Sequence, residues 1–241
     1  MSEYNVDFYK KMASGAEASA NVILPFLFKL INPYKVVDLG CGVGCWLSVA
    51  KSLGAEVVLG FDGAYVNKEQ LQISASEFVS VDLLHAVPNV TKADLALCME
   101  VAEHLPESRA DAIVNFLCAS SDVVLFGAAI PGQGGAHHVN EKWQSYWVEK
   151  FESNGFKHSV KIRNEFWNDE RVAIWYRQNS LVFVTNSRPD LAGIFDLESS
   201  KGIVDVVHPE LYSLKMRRYR LQEQFLTTMQ RYLNALRSII R

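Results

Sequence analysis

Two carboxylates and an imidazole fall close together in Glu100-Val101-Ala102-Glu103-His104, and these residue types can do chemistry. If a helical turn begins at Glu100, then Glu100, Glu103 and His104 stand at i, i+3 and i+4 and point the same way. Such a face suits a hard or borderline divalent cation. A bound cation lowers the pKa of an oxygen by several units, and a histidine near neutrality can then take the proton. A loop further on, Ala128 to His138, could bring His138, or His137, to complete the set.

A second group of residues is spaced for binding. Val36-Val37-Asp38-Leu39-Gly40-Cys41-Gly42-Val43-Gly44 reads as a buried strand, an acidic residue, and a tight turn before an apolar helix. Without Cβ atoms the turn lets a ligand approach the backbone closely. A dinucleotide fingerprint would place its third glycine at Cys45, whereas here it comes one residue early, at Gly44. Asp62 ends the next apolar run, roughly 20 residues beyond the glycines, where an acid can accept from both ribose hydroxyls. Asp82 ends the run after that. Each aspartate alone could be a helix N-cap, but three acids at three consecutive strand ends point to a nucleoside cofactor.

The elements that must carry these residues alternate. Strands are predicted over Lys35–Leu39, Glu56–Phe61, Glu77–Val81, Asp94–Cys98 and Val123–Phe126, with helices over Cys45–Leu53, Lys68–Leu71, Pro106–Ser120 and Glu141–Asn154. A helix bent at Pro25, Ala16 to Ile31, leads into the first strand. The alternation implies an α/β, Rossmann-like, mostly parallel sheet with helices on both faces. Phe156–Arg163 and Leu181–Val184 would complete seven strands as an antiparallel edge, flanking an unusual tryptophan-bearing segment, Glu165 to Asn179. Asp196 to His208 reads as a loop with a short strand. From Pro209, Leu211, Leu214, Leu221, Phe225, Tyr232 and Ile239 recur at threes and fours or their sums, the pattern of an amphipathic or coiled-coil helix. The expected division is 1–195 for the α/β domain and 196–241 for linker and helix. The helix is expected either to pack on its own domain, to join subunits into a homo-oligomer, or to begin a longer parent chain.

Composition bounds the function. The 241 residues are 49% hydrophobic and 21% charged, as in a globular protein. The net charge of −3 hides an asymmetry, because Pro209 to Arg241 carries +5 and the remainder −8. So acidic a body matches a phosphate backbone poorly, and nucleic acid is not the expected partner. Cys41, Cys45, Cys98 and Cys118 form no C-x-x-C pair, which implies reduced thiols and a cytoplasmic location. The first residues have no signal-peptide core, and the longest apolar run, Val22 to Phe28, is too short to span a membrane.

The phase of the glycines, with Asp38 in front, resembles the first motif of class I S-adenosylmethionine-dependent methyltransferases. That resemblance implies cofactor contacts from Asp38, Gly40, Cys41 and Gly42, with Asp62 and Gly63 at the ribose. It further implies Asp82 and the Leu83 backbone at the adenine, and Glu100. The E-x-x-E-H sequence is similar to that of ubiquinone-biosynthesis O-methyltransferases and of small-RNA 2′-O-methyltransferases, the latter adding a downstream histidine. It implies Mg²⁺ or Mn²⁺ on Glu100, Glu103, His104 and His138, with His104 and His138 as the catalytic histidines. Many class I methyltransferases instead have an E-H-L sequence here, in which Glu100 contacts the cofactor and His104 is structural or lines the acceptor site. Beyond the motifs, Tyr4 to Asn186 resembles a bacterial methyltransferase group found near glycan and capsule genes. The stretches that carry this are Phe61–Val66, Glu100–Pro106, Pro131–Tyr146 and Trp175–Asn179. The expectation is O-methylation of a sugar, a glycan or a sugar-linked metabolite. Trp143, Trp147, Trp167, Trp175 and Tyr176 would wall the pocket, though isolated tryptophans are more often core. RNA ends, a small phenolic or amine acceptor, or a non-catalytic cofactor-binding scaffold are the alternatives.

Overall fold

In the computed structural model, which describes residues 6–89, 92–197 and 203–239, the apolar runs form strands and the longer periodic stretches form helices. The chain divides into two compact units, Met1–Val206 and Val207–Arg241. In chain order the first unit has α1 (Val6–Ile31), β1 (Lys35–Leu39), α2 (Cys45–Ser52), β2 (Val57–Asp62), β3 (Phe78–Ser80) and β4 (Leu95–Met99). There follow α3 (Ala110–Ser120), β5 (Val123–Gly127), α4 (Gln144–Ser153), β6 (Phe156–Ser159), α5 (Lys161–Phe166), α6 (Ile174–Asn179) and β7 (Leu181–Thr185).

The seven strands form one sheet in the order β3-β2-β1-β4-β5-β7-β6. β7 is antiparallel to both its neighbours and the other paired strands are parallel, so β6 runs with the sheet and only β7 against it. β4 and β5 lie at the centre and are buried at every position, as strands covered on both faces must be. Alternate residues feed two cores. Val36, Leu95, Leu97 and Leu125 join one with Leu24, Leu27 and Leu47. Val37, Ala96, Cys98, Val124 and Phe126 join the other with Val114, Leu117, Trp147 and Phe151. The chain order reverses between β1 and β4, the point at which open α/β sheets leave a crevice beyond the strand ends. The glycine loop follows β1 and the Glu100–His104 segment follows β4, so both open onto it.

Several expectations change, the first helix beginning already at Val6. Phe156–Arg163 is not one β piece, because Ser159 ends β6 and its hydroxyl accepts from the Lys161 N–H at 3.1 Å, starting α5. Glu165 to Asn179 holds the end of α5 and all of α6. The short strand expected before His208 is absent from residues 203–208, since no strand lies alongside. There Arg163 donates to the Val204 carbonyl at 2.7 Å, and the Ser145 N–H to Asp205 at 2.7 Å. α4 begins three residues later than predicted because the Glu141 side chain is committed to the loop before it, where it accepts from the Gly132 N–H.

The second unit is α7 (Pro209–Ile239). Tyr219, Leu221, Phe225 and Leu226 on it are each more than half exposed. Among the described residues no helix is long and apolar enough to cross a membrane.

Candidate active site

On the β1 and β2 side, backbone makes the site. Gly40 and Cys41 both donate to the Phe61 carbonyl, at 2.7 and 3.1 Å, which stitches the loop to the end of β2. Gly40 has φ +80°, and a Cβ there would lie 2.3 Å from Val101 Cγ2, so only glycine lets the loop rest on that side chain. Around the Cβ position of Gly42 nothing stands within 4 Å, and the loop is open there. Beside this opening the buried Asp62 carboxylate accepts from the Gly42 N–H at 2.7 Å, the Gly63 N–H at 2.6 Å and the Tyr65 hydroxyl. Asp38 is also buried; desolvation first, then the Asp62 charge, pushes its carboxyl well above the usual range. Asp82 differs from both. Its side chain is exposed and accepts from the Leu84 N–H at 3.0 Å, a local turn bond. Leu83 is buried, and its carbonyl accepts from Arg109 Nε at 2.8 Å.

On the β4 and β5 side, side chains make the site. The residues after β4 form a 3-10 turn, Ala102–His104, and not the α-turn the spacing suggested. Glu100 sits before it at φ +58°, a left-handed conformation costly for a residue with a Cβ. Its carboxylate lies beside that of Glu103 and accepts from Gln133 Nε2 at 2.9 Å and Asn179 Nδ2 at 2.8 Å. Burial raises its pKa, opposed by those two amide donors.

Glu103, His104 and His138 do converge: one ligand atom from each lies within 4.8 Å of the others. Glu100 is not in that trio. Glu103 is fully buried, and neither of its oxygens makes a well-formed hydrogen bond, although the Glu103 and Ala129 backbone and the Glu100 carboxyl stand beside them. Burial first, then the Glu100 charge, drives its pKa well above the carboxylate range. The loop carrying His138 is pinned because Val139 and Asn140 both donate their N–H to the Glu103 carbonyl, at 2.9 and 3.0 Å. The His138 and His104 rings meet edge to face at 4.9 Å. His104 lies on the exposed rim. The protein packed around its ring, then the neighbouring His138, holds its pKa below the ordinary imidazole value.

His138 Nδ1 meets Glu141 Oε1 at 2.9 Å, which leaves Nε2 for the cluster. Glu141 also accepts the N–H groups of Gly132 and Gly134, at 2.8 and 2.6 Å. Its burial is outweighed by these bonds, and its pKa falls below the usual value. A Cβ on Gly135 would lie 2.2 Å from His138 Nε2, so the ring is seated against bare backbone.

No protein with a curated description matches the sequence. A family description, methyltransferase domain, matches residues 12–167. The chain belongs to the methyltransferase-domain family. S-adenosylmethionine is the cofactor of that family. Among solved structures, the methyltransferase is similar to a SAM-dependent methyltransferase from Archaeoglobus fulgidus, at 16% identity and TM-score 0.52, over 76% of this chain and 99% of the other. It is similar too to the methyltransferase domain of a bacterial CtHen1-C, at 20% identity and TM-score 0.51, over 70% and 98%. Against human N-acetylserotonin methyltransferase it covers 69% of its own length and about half, 51%, of the longer chain, at 14% identity and TM-score 0.46. The first two likenesses concern the fold.

Of the aromatic residues expected to wall the pocket, Trp147 and Tyr176 are core, packed on Phe126 and Trp46. Trp143 is at the surface, 41% exposed. Sequence reasoning missed Tyr65, Arg109, Gln133, Glu141 and Asn179 as parts of the site. Asn179 lies beyond the residues that the family description matches. Its only signal was the Trp175–Asn179 stretch, which carried kinship without a role.

Proposed function

We propose that the methyltransferase moves a methyl group from S-adenosylmethionine to an oxygen of a sugar, a glycan or a sugar-linked metabolite, with Mg²⁺ or Mn²⁺ held by Glu103, His104 and His138. The observation that carries the metal is Glu103: a buried carboxylate beside a second one, Glu100, with no well-formed hydrogen bond to either oxygen, is costly unless a cation or proton compensates it. Two imidazoles beside it make a donor set that suits Mn²⁺ better than the harder Mg²⁺. Glu100, expected among the ligands, would stand behind them, oriented by Gln133 and Asn179. Glu141 fixes the His138 ring as carboxylates do behind metal-ligating histidines. A divalent ion bound there would lower the pKa of an acceptor hydroxyl. If no cation is held there, the imidazole of His104, with its depressed pKa, would be free to accept the proton, with His138 as the other candidate; an imidazole that ligates the ion has no lone pair left for it.

The cofactor fits the other half. Asp62 would take the ribose beside the opening at Gly42, with Gly63 next to it. Asp38, Gly40 and Cys41 would line the loop, and Asp82 and Leu83 the adenine side. The sulfonium supplies an electrophilic methyl group, and the residues' task is to align the oxygen with it.

The acidic body and the exposed Trp143 favour a hydroxyl-rich acceptor over a phosphate backbone. His138 in the cluster favours a second reading, methylation of RNA ends, because a downstream histidine marks the small-RNA enzymes. A screen with labelled cofactor against nucleotide sugars, glycans, small phenols and RNA, with and without Mg²⁺, separates them. Methyl transfer to RNA alone would reverse the order. We assign residues 1–195 to the catalytic domain and 196–241 to a linker and helix, and we place the protein in the cytoplasm. The exposed apolar residues of α7 favour its joining copies of the chain into a homo-oligomer. Removing 209–241 is expected to lower the mass seen by light scattering without changing cofactor binding, and a monomer before and after would refute it.

A further inference from the structure

The Asp62 carboxylate already has three donors, and one of them is a side chain that can leave. A carboxylate offers about four acceptor sites. Gly42 N–H takes one on Oδ2, while Gly63 N–H and the Tyr65 hydroxyl share Oδ1. One site remains, yet a ribose diol brings two O–H donors. The two backbone donors are fixed by the loop and strand that carry them. Tyr65 is 72% exposed. Its turn is anchored by the Val66 N–H bond to the Gly63 carbonyl at 3.2 Å and by the buried Val66 side chain, so an outward swing of the exposed ring would leave the backbone in place. The ring lies across Gly63: a Cβ there would be 2.1 Å from Tyr65 Cε1.

We propose that Tyr65 is a gate on the ribose site. Its hydroxyl occupies the place of one ribose hydroxyl on Asp62, and the ring swings outward when a nucleoside with both hydroxyls enters. The proposal rests on the reading of Asp62 as the ribose carboxylate.

Calorimetry with S-adenosylhomocysteine, adenosine and 2′,3′-dideoxyadenosine tests it on the wild type, Tyr65→Phe and Asp62→Ala. Removing the competing hydroxyl should tighten S-adenosylhomocysteine and adenosine by about fivefold, within the reach of one charge-assisted hydrogen bond, and leave the dideoxy compound unchanged. Unchanged or weaker binding of S-adenosylhomocysteine by Tyr65→Phe overturns the gate, and so does an equal gain for the dideoxy compound. If Asp62→Ala binds S-adenosylhomocysteine as the wild type does, the ribose reading itself falls. If Asp62→Ala weakens binding but Tyr65→Phe does not tighten it, only the gate falls.

Discussion

Around Gly40 to Gly44 the site is made of backbone, its N–H groups taken up by the Phe61 and Cys41 carbonyls and the Asp62 carboxylate, all within two adjacent strand-to-helix turns. Around Glu103 it is made of side chains brought together from the ends of β4 and β5 and from α6. In the first half Asp62 has its donors, and only Asp38 is held buried with its carboxyl pushed up. The second keeps a buried carboxylate without a well-formed hydrogen bond and a residue at positive φ. Binding can be built from a well-satisfied backbone, whereas activating an acceptor calls for groups held ready at a cost in stability.

The strongest way to break this division is to remove a cluster residue. Glu103→Ala and His138→Ala should each lower turnover by two orders of magnitude or more, since loss of even an outer-shell partner costs about 10–100-fold at metal sites. S-adenosylhomocysteine affinity by calorimetry should stay near wild type. A matching loss of cofactor affinity would show that the two halves are one.

Asp62→Ala should do the reverse, weakening cofactor binding about tenfold or more, because each charge-assisted hydrogen bond contributes roughly 1.5–3 kcal/mol. Affinity for Mn²⁺ should not change. Gly135→Ala sharpens the comparison further. Its methyl group would displace the His138 ring and should weaken Mn²⁺ binding by about tenfold while the cofactor binds normally. Normal Mn²⁺ binding in this variant would remove His138 from the metal set.

The smallest effect is on stability. The folded-state pKa of Glu103 is raised, so the folded chain keeps a proton that the unfolded chain releases. The metal-free protein is then favoured fully below the unfolded value, about 4.3, and loses stability as pH rises towards the folded value, by about 1.4 kcal/mol for each pH unit between the two. Glu103→Gln should flatten this slope and raise the metal-free Tm at neutral pH by roughly 2–4 °C per kcal/mol recovered. Mn²⁺ should raise the wild-type Tm and leave the variant unmoved. A Tm for Glu103→Gln below that of the wild type at neutral pH would mean the carboxyl is compensated without metal.

Legibility in the sequence follows the same line. β1, its glycine turn and the strands ending near Asp62 and Asp82 were readable because each is a local pattern, a short apolar run with a fixed punctuation. The convergence of His138 on Glu103 was readable only as an option between two neighbouring histidines. What decides it is a pair of N–H bonds to the Glu103 carbonyl across some 35 residues, which no periodicity encodes. Glu100 was misplaced because i, i+3, i+4 spacing presumes an α-turn, and its positive φ turns it toward Asn179. Phe156–Arg163 failed for a simpler reason: a serine hydroxyl that starts a helix looks the same in sequence as one on a strand.

Glu141 has a consequence for how the cluster could be watched without assaying it. One carboxylate accepts both the Gly132 and Gly134 N–H groups and holds the His138 ring. Those two amides can exchange their hydrogens with solvent only when the carboxylate lets go, and the ring loses its support in the same event. The orientation of an imidazole, silent to most probes, is thereby written into the exchange rates of two loop glycines. Their deuterium uptake becomes a clock for how often the histidine is out of place.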